Sequence, residues 1–211
     1  MMEMSVYALF PESTDVVKMF KYLIGILTII IALAGYMKKK DSLTRNILIA
    51  VTVLMIADVS MLHSVFLGAF LHCSAYLFLC YTYWLEEKPT RKQLIIGAVM
   101  CVICTIPVFI PEGHYGWMRF ISVLYVWSSI MMITLSVLMP RTCINGSVTL
   151  FGGGILMILN TIWGGGVAGR VLSLGVYYAA VVTLASTGTT FNLPKLVPEG
   201  MAVEETIEDL K

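Results

Sequence analysis

One carboxyl group stands apart from the other acidic residues of this sequence. Of the 13 Asp and Glu residues, Asp58 alone lies well inside an apolar run, and the others lie in short polar stretches or near the chain ends. An ionisable group at such a position is costly to bury and is therefore a candidate functional residue. Its chemistry would be that of a carboxyl held away from water, able to keep a proton and to release it. The alternative is a structural Asp that fixes helix packing through a hydrogen bond to a neighbouring polar side chain.

Several other polar side chains also occur in apolar runs: His72, Tyr76, Asn160, Tyr177 and Tyr178. No second ligand stands one helical turn after His72, where Tyr76 is found, so we expect no metal site and no cofactor. Asn160 requires a partner across helices, either as a packing contact or as part of a site. Each Tyr hydroxyl requires a partner when it is buried.

Two glycine triplets, at residues 152–154 and 164–166, flank Asn160. No Gly-Lys-Ser/Thr follows them, so a phosphate-binding loop is a poor interpretation. Glycines in an apolar run instead allow helix backbones to approach closely. Cys101 and Cys104 have CxxC spacing but no second pair nearby, and we interpret them as small apolar helix residues.

The elements that must position these groups are membrane-spanning helices. Of the 211 residues, 58% are hydrophobic and 13% are charged, whereas a soluble domain carries roughly 25% charged residues. The mean hydropathy is +0.87. Since about 20 apolar residues cross a bilayer as a helix, the sequence predicts an all-α polytopic bundle of about seven spans. These cover residues 19–36, 43–62, 64–84, 93–110, 117–139, 147–166 and 169–187.

The distribution of basic residues predicts the orientation of the bundle. Ten Lys and Arg residues fall in one set of loops and the C-terminal tail, and four fall on the opposite side. The positive-inside rule then makes residues 1–18 an extracytoplasmic segment, residues 19–187 the transmembrane domain, and residues 188–211 a cytoplasmic tail. We expect a multi-pass protein of the plasma membrane.

The same charges bear on possible partners. No face carries enough Lys or Arg to form a basic patch, so we expect no binding to nucleic acid. Membrane lipid is the expected environment and a possible substrate. The sequence leaves open whether there is a protein partner.

Three short blocks of the sequence resemble the YhhN family, which includes the lysoplasmalogenases. The first block is ADVSML at residues 57–62, followed by FLGAFL at residues 66–71 and by Tyr76. The second is GGILMILNTIW at residues 153–163, and the third is YYAA at residues 177–180. The blocks follow one another in the family's order.

The resemblance implies an integral membrane fold, usually of eight helices, and cleavage of the vinyl ether of lysoplasmalogens to a fatty aldehyde and a glycerophospho-headgroup. The family's first acid falls on Asp58 and its second polar position on Asn160, so we expect these two to be catalytic. The family's His falls on Ser74, while His72 lies about 200° around the helix from it. The expected substrate-binding residues are Tyr76, Tyr178, His72 and Ser74.

Two other functions remain open from the sequence. One is a lipid-binding or helper membrane protein, in which Asp58 and Asn160 are hydrogen-bonded packing residues. The other is a small transporter, although transporters usually contain internal repeats and more polar residues within the membrane than this chain has.

Overall fold

The computed structural model describes residues 14–109, 117–163 and 166–189. Over these residues the chain forms seven α-helices and no strand, which confirms the predicted all-α bundle. The helices are α1 (Thr14–Lys39), α2 (Ser42–Ser60), α3 (Val65–Glu86), α4 (Arg91–Phe109), α5 (Trp117–Ser136), α6 (Arg141–Trp163) and α7 (Gly166–Ala185), and a 3₁₀ helix (Ser186–Gly188) follows α7. Most of the predicted N-terminal segment and nearly all of the tail lie outside the described residues.

Five helical segments are long and apolar enough to cross a membrane. They are Lys21–Lys39, Ser42–Ser60, Val65–Glu86, Arg119–Ser136 and Val171–Gly188. The helices α4 and α6 also form where spans are predicted, but their described residues do not meet the same criterion. Large apolar side chains on the outside of the bundle are exposed, among them Ile26, Phe70, Ile95 and Leu172. The helices are those of an integral membrane bundle.

Two helix ends differ from the predicted spans, and the first of them changes the position of Asp58. Helix α2 ends at Ser60 instead of residue 62, so Asp58 lies in its last turn and not well inside the span. Helix α6 begins at Arg141 instead of residue 147. Its first hydrogen bonds run from the amides of Cys143 and Ile144 to the carbonyl oxygen of Pro140. A proline is well tolerated at a helix start, because its missing N–H is not needed there.

Most helices pack against their neighbours in sequence, and contacts of α3 with α5 and of α7 with α1 and α2 close the bundle. The main core lies among these helices and includes the fully buried Leu54, Tyr76, Tyr83 and Leu184. Helix α4 packs chiefly on α5 and lies at the edge of the bundle.

The turn between α2 and α3 sets the position of Asp58 relative to α3. The Ser64 hydroxyl caps α3 by accepting a hydrogen bond from the Leu67 amide. One turn later, a Cβ added to Gly68 would lie 2.8 Å from the backbone nitrogen of Met61. Only glycine allows this approach. The close contact of Gly68 with Met61 holds the end of α2 against the first turns of α3.

Candidate active site

Asp58 and His72 meet between the last turn of α2 and the first half of α3. The Oδ1 atom of Asp58 lies 3.4 Å from Nε2 of His72, and the residues are 8% and 5% exposed. On the other side of the ring, Nδ1 lies 2.9 Å from the carbonyl oxygen of Gly68. A carbonyl oxygen can only accept a hydrogen bond, so Nδ1 carries a proton and Nε2 is directed at the carboxyl group.

Helix α7 contributes Tyr177, whose hydroxyl lies 3.1 Å from Nε2 of His72. Two arrangements satisfy these contacts. Either Nε2 accepts a hydrogen bond from Tyr177 and Asp58 keeps its proton, or Nε2 is protonated and donates to the Asp58 carboxylate. They differ by a single proton that passes between the carboxyl and the imidazole. The pair can therefore hold a proton and exchange it, which is what acid–base chemistry requires.

The second oxygen of the same carboxyl group has no hydrogen-bond partner among the described residues. Among the described residues, Oδ2 of Asp58 is a buried atom without a hydrogen bond, and so is the hydroxyl of Tyr178. The Tyr178 hydroxyl is close enough to Asp58 for the two groups to interact, although the contact does not have hydrogen-bond geometry. Buried polar atoms are nearly always paired, so a small polar group between Asp58 and Tyr178, such as a water molecule or a substrate oxygen, would satisfy both.

Tyr76 lies behind His72 and is fully buried. Its ring is in edge contact with the imidazole, with a centroid distance of 6.4 Å. Its hydroxyl lies 3.1 Å from the hydroxyl of Tyr125 on α5. Tyr76 therefore borders the Asp58–His72 pair, and its hydroxyl bonds to Tyr125. The sequence did not predict Tyr125 as a site residue, because nothing in its local sequence distinguishes it.

The remaining predicted site residues fall elsewhere. The Ser74 hydroxyl donates to the carbonyl oxygen of Phe70 one turn earlier on α3, at 2.9 Å. The resemblance places the family's His at Ser74, but in the structure the residue that contacts Asp58 is His72. Asn160 belongs to α6, but its side chain lies outside the part that the structure describes, so its role stays a prediction. Within the described ranges, no three His, Cys, Asp or Glu side chains come together as metal ligands.

The glycine triplet at residues 152–154 packs α6 against the site. A Cβ on Gly153 would lie 3.0 Å from the backbone nitrogen of Tyr177, and a Cβ on Gly154 would overlap the Tyr125 side chain. A Cβ on Gly152 would meet no atom of the described residues within 4 Å. Two of the three glycines therefore allow α6 to lie directly beside the tyrosines of the site.

We expect Gly153→Ala to lower the free energy of unfolding by about 1–3 kcal/mol, the usual effect of overpacking, because the backbones of α6 and α7 must separate. The matched control is Gly152→Ala on the same helix, which should be neutral. The measurement is SDS-induced unfolding in mixed micelles, followed by circular dichroism. Equal effects of the two substitutions would contradict the close packing of α6 against Tyr177.

Comparison with protein-family models, with curated proteins and with solved structures finds no match for this chain. The resemblance to the YhhN family therefore stays a prediction. Fold and site together define the class: a helical membrane protein with a buried Asp–His pair and an adjacent pair of tyrosines.

Proposed function

We propose that this protein hydrolyses the vinyl ether bond of lysoplasmalogen-type lipids, with Asp58 as the general acid. The observation that supports this most directly is the buried carboxyl group of Asp58. One of its oxygens lies beside His72, and the other has no hydrogen-bond partner in the part of the chain that the structure describes. Vinyl ether hydrolysis begins with proton transfer to carbon and passes through an oxocarbenium ion. It needs one positioned acid and, once the proton has left, a nearby negative charge.

The proposed reaction uses both oxygens of that carboxyl group. Asp58 transfers a proton from Oδ2 to the alkenyl carbon farther from the ether oxygen, and its carboxylate then faces the oxocarbenium ion. Water adds to the carbon that bears the ether oxygen, while Nε2 of His72 accepts the proton that the water loses. The resulting hemiacetal breaks down to a fatty aldehyde and the glycerophospho-headgroup. The proton on His72 returns to Asp58 across the 3.4 Å between Nε2 and Oδ1.

Other residues take supporting roles in this proposal. The Tyr178 hydroxyl, buried and without a hydrogen-bond partner among the described residues, donates to the ether oxygen of the substrate. Tyr177 orients the imidazole of His72. Asn160 holds the attacking water, as its match to the family's second polar position suggests.

The depth of the site suits a lipid whose ether lies just below its headgroup. Asp58 is in the last turn of α2, and His72 lies about 10 Å along α3 from its first residue at 1.5 Å per residue. We further propose that the protein resides in the plasma membrane with its N-terminus outside. The positive-inside rule favours this orientation, because ten Lys and Arg residues then lie on the cytoplasmic side and four on the outer side. The site then lies in the outer half of the bilayer.

The test is an activity assay with purified protein in lipid nanodiscs. We expect release of fatty aldehyde from an alkenyl lysophospholipid, and none from the matched alkyl lysophospholipid, whose saturated ether cannot be protonated at carbon. Aldehyde release no faster than in protein-free nanodiscs would refute the proposal. Cleavage of an acyl lysophospholipid at the same rate would point to an esterase instead.

A second candidate function is favoured by one observation. The contacts among Asp58, His72 and Tyr177 link three helices, α2, α3 and α7, as expected of polar residues that hold a membrane bundle together. A non-enzymatic lipid-binding or helper protein would need the cluster for that purpose alone. It would show no turnover of ether lipids, and Asp58→Ala would impair its folding.

A further inference from the structure

Lys21 is a basic residue near the start of α1 that faces the rest of the bundle. Its side chain is half-buried, whereas the side chains of its neighbours Tyr22 and Leu23 are exposed. A positive charge on the inner side of a membrane helix is costly, and such residues usually serve a binding or transport function. Lys21 therefore calls for an anionic partner.

The packing of α1 on α2 places Lys21 at the depth of Asp58. A Cβ on Gly25 would lie 3.4 Å from Sδ of Met55, so α1 and α2 are in contact at these residues. The two helices run in opposite directions, because only a short turn joins them. Lys21 lies about 6 Å from Gly25 along α1, on the same side of the helix. Asp58 lies about 4.5 Å from Met55 along α2, toward the same end of the bundle.

The side chain of Lys21 extends from that depth toward the membrane surface. Helical side chains are tilted toward the N-terminus of their helix, and the start of α1 is at the same end of the bundle as Asp58. A Lys near a helix end also keeps its apolar stem in the membrane and directs its ammonium group outward. The ammonium group of Lys21 thus lies nearer the surface than the carboxyl group of Asp58.

No acidic side chain of the described ranges is paired with Lys21. Asp41, Glu86 and Glu87 lie at the opposite end of the bundle, at the start of α2 and the end of α3. The remaining acid whose side chain is described is Asp58, and its ion-pair contact is with His72. The charge of Lys21 is therefore available to an anion that enters beside Asp58.

We propose that Lys21 binds the phosphate group of the lipid whose vinyl ether is cleaved at Asp58. This inference rests on the proposed hydrolase function. In a lysoplasmalogen, the phosphate group lies nearer the membrane surface than the ether oxygen, by the length of the glycerol backbone. The ammonium group of Lys21 stands in the same relation to the Asp58 carboxyl group. An ammonium group pairs with a phosphate as a point charge, so both ethanolamine and choline headgroups satisfy this contact.

Lipids that cannot be cleaved test the role of Lys21 apart from the reaction. One probe is an octyl ether of glycerophosphocholine, whose ether is saturated, and the other is octylglycerol, which has the same chain and no phosphate. Isothermal titration into nanodiscs that contain the protein, corrected for empty nanodiscs, gives a Kd for each probe. We expect the phospholipid to bind about tenfold more tightly, the effect of one hydrogen bond to a charged group.

Two variants at Lys21 and one matched control examine the source of this preference. Lys21→Met keeps the apolar stem without the charge, so it should abolish the preference and leave the Kd of octylglycerol unchanged. Lys21→Arg keeps the charge and should keep the preference. Lys40→Gln removes an exposed charge just beyond the other end of α1 and should also keep it. A Lys21 with a purely structural role would change both affinities together or neither.

Equal Kd values of the two probes in the wild-type protein would overturn the proposal, and so would an unchanged preference in Lys21→Met. Competition by glycerophosphocholine without a chain, as strong as by the octyl lipid, would also overturn it, because the site would then bind a free phosphate ester. The hydrolase function fails separately. A protein with Lys21-dependent binding but no aldehyde release would keep the phosphate site and lose the hydrolase function.

Discussion

Replacing Asp58 by Asn is expected to lower the rate of vinyl ether hydrolysis by about 10²- to 10⁴-fold, the usual contribution of a positioned general acid. Asn has nearly the same shape as Asp, and its amide oxygen or nitrogen can still pair with Nε2 of His72, but it has no proton to transfer to carbon. We therefore expect the variant to insert and fold. Aldehyde release in nanodiscs, together with the size-exclusion profile of the purified variant, checks both expectations.

The matched control for this substitution is Ser74→Ala. Ser74 lies on the same helix as His72, but its hydroxyl is bonded to the carbonyl oxygen of Phe70, so its loss should leave the rate within about twofold, as for a surface change worth less than 0.5 kcal/mol. An Asp58→Asn protein that turns over substrate at the wild-type rate would end the assignment of Asp58 as the acid. Loss of activity in Ser74→Ala alone would instead favour the register that the family resemblance implies.

Replacing His72 by Leu is expected to lower the free energy of unfolding by about 2–3 kcal/mol, because the buried carboxyl group then loses the imidazole beside its Oδ1 atom. In the described structure, the Oδ2 atom of Asp58 already has no hydrogen-bond partner, and Oδ1 contacts His72. Unfolding by SDS in mixed micelles measures this loss. Tyr177→Phe, which removes one hydroxyl and keeps the ring, should lower the same quantity by about 1 kcal/mol.

A double-mutant cycle isolates the Asp58–His72 interaction itself. With Asp58→Asn already present, His72→Leu no longer strands a carboxyl group, so its effect should shrink by about 1–2 kcal/mol, near the largest coupling seen between polar residues in membrane bundles. Strictly additive effects would show that the two side chains do not interact in the folded protein.

These substitutions together separate the two candidate functions. A hydrolase should lose activity in Asp58→Asn while its stability changes little. A protein that uses the cluster only for packing should lose stability in Asp58→Ala, and its wild-type form should release no aldehyde. Loss of stability in His72→Leu is expected for both functions, so aldehyde release by the wild-type protein is what separates them.

Much of the fold could be read from the lengths of the apolar runs. A chain in lipid must satisfy every backbone group within its own segment, so each long apolar run becomes a helix, and the seven helices lie near the seven predicted spans. The special position of Asp58 was also visible, since no other acid lies in such a run. Both properties depend only on neighbouring residues in the chain.

The partners of Asp58 depend on how separate helices are rotated against each other. A 100° turn between successive residues makes His72 and Ser74 point to different sides of α3, and nothing local tells which side faces α2. The close approach of Gly68 to Met61 settles it in favour of His72. Tyr177 and Tyr125 reach the site from helices far along the chain. Their contacts follow from packing among α3, α5, α6 and α7, because a side chain's partners across helices are decided by the whole bundle and not by its own segment.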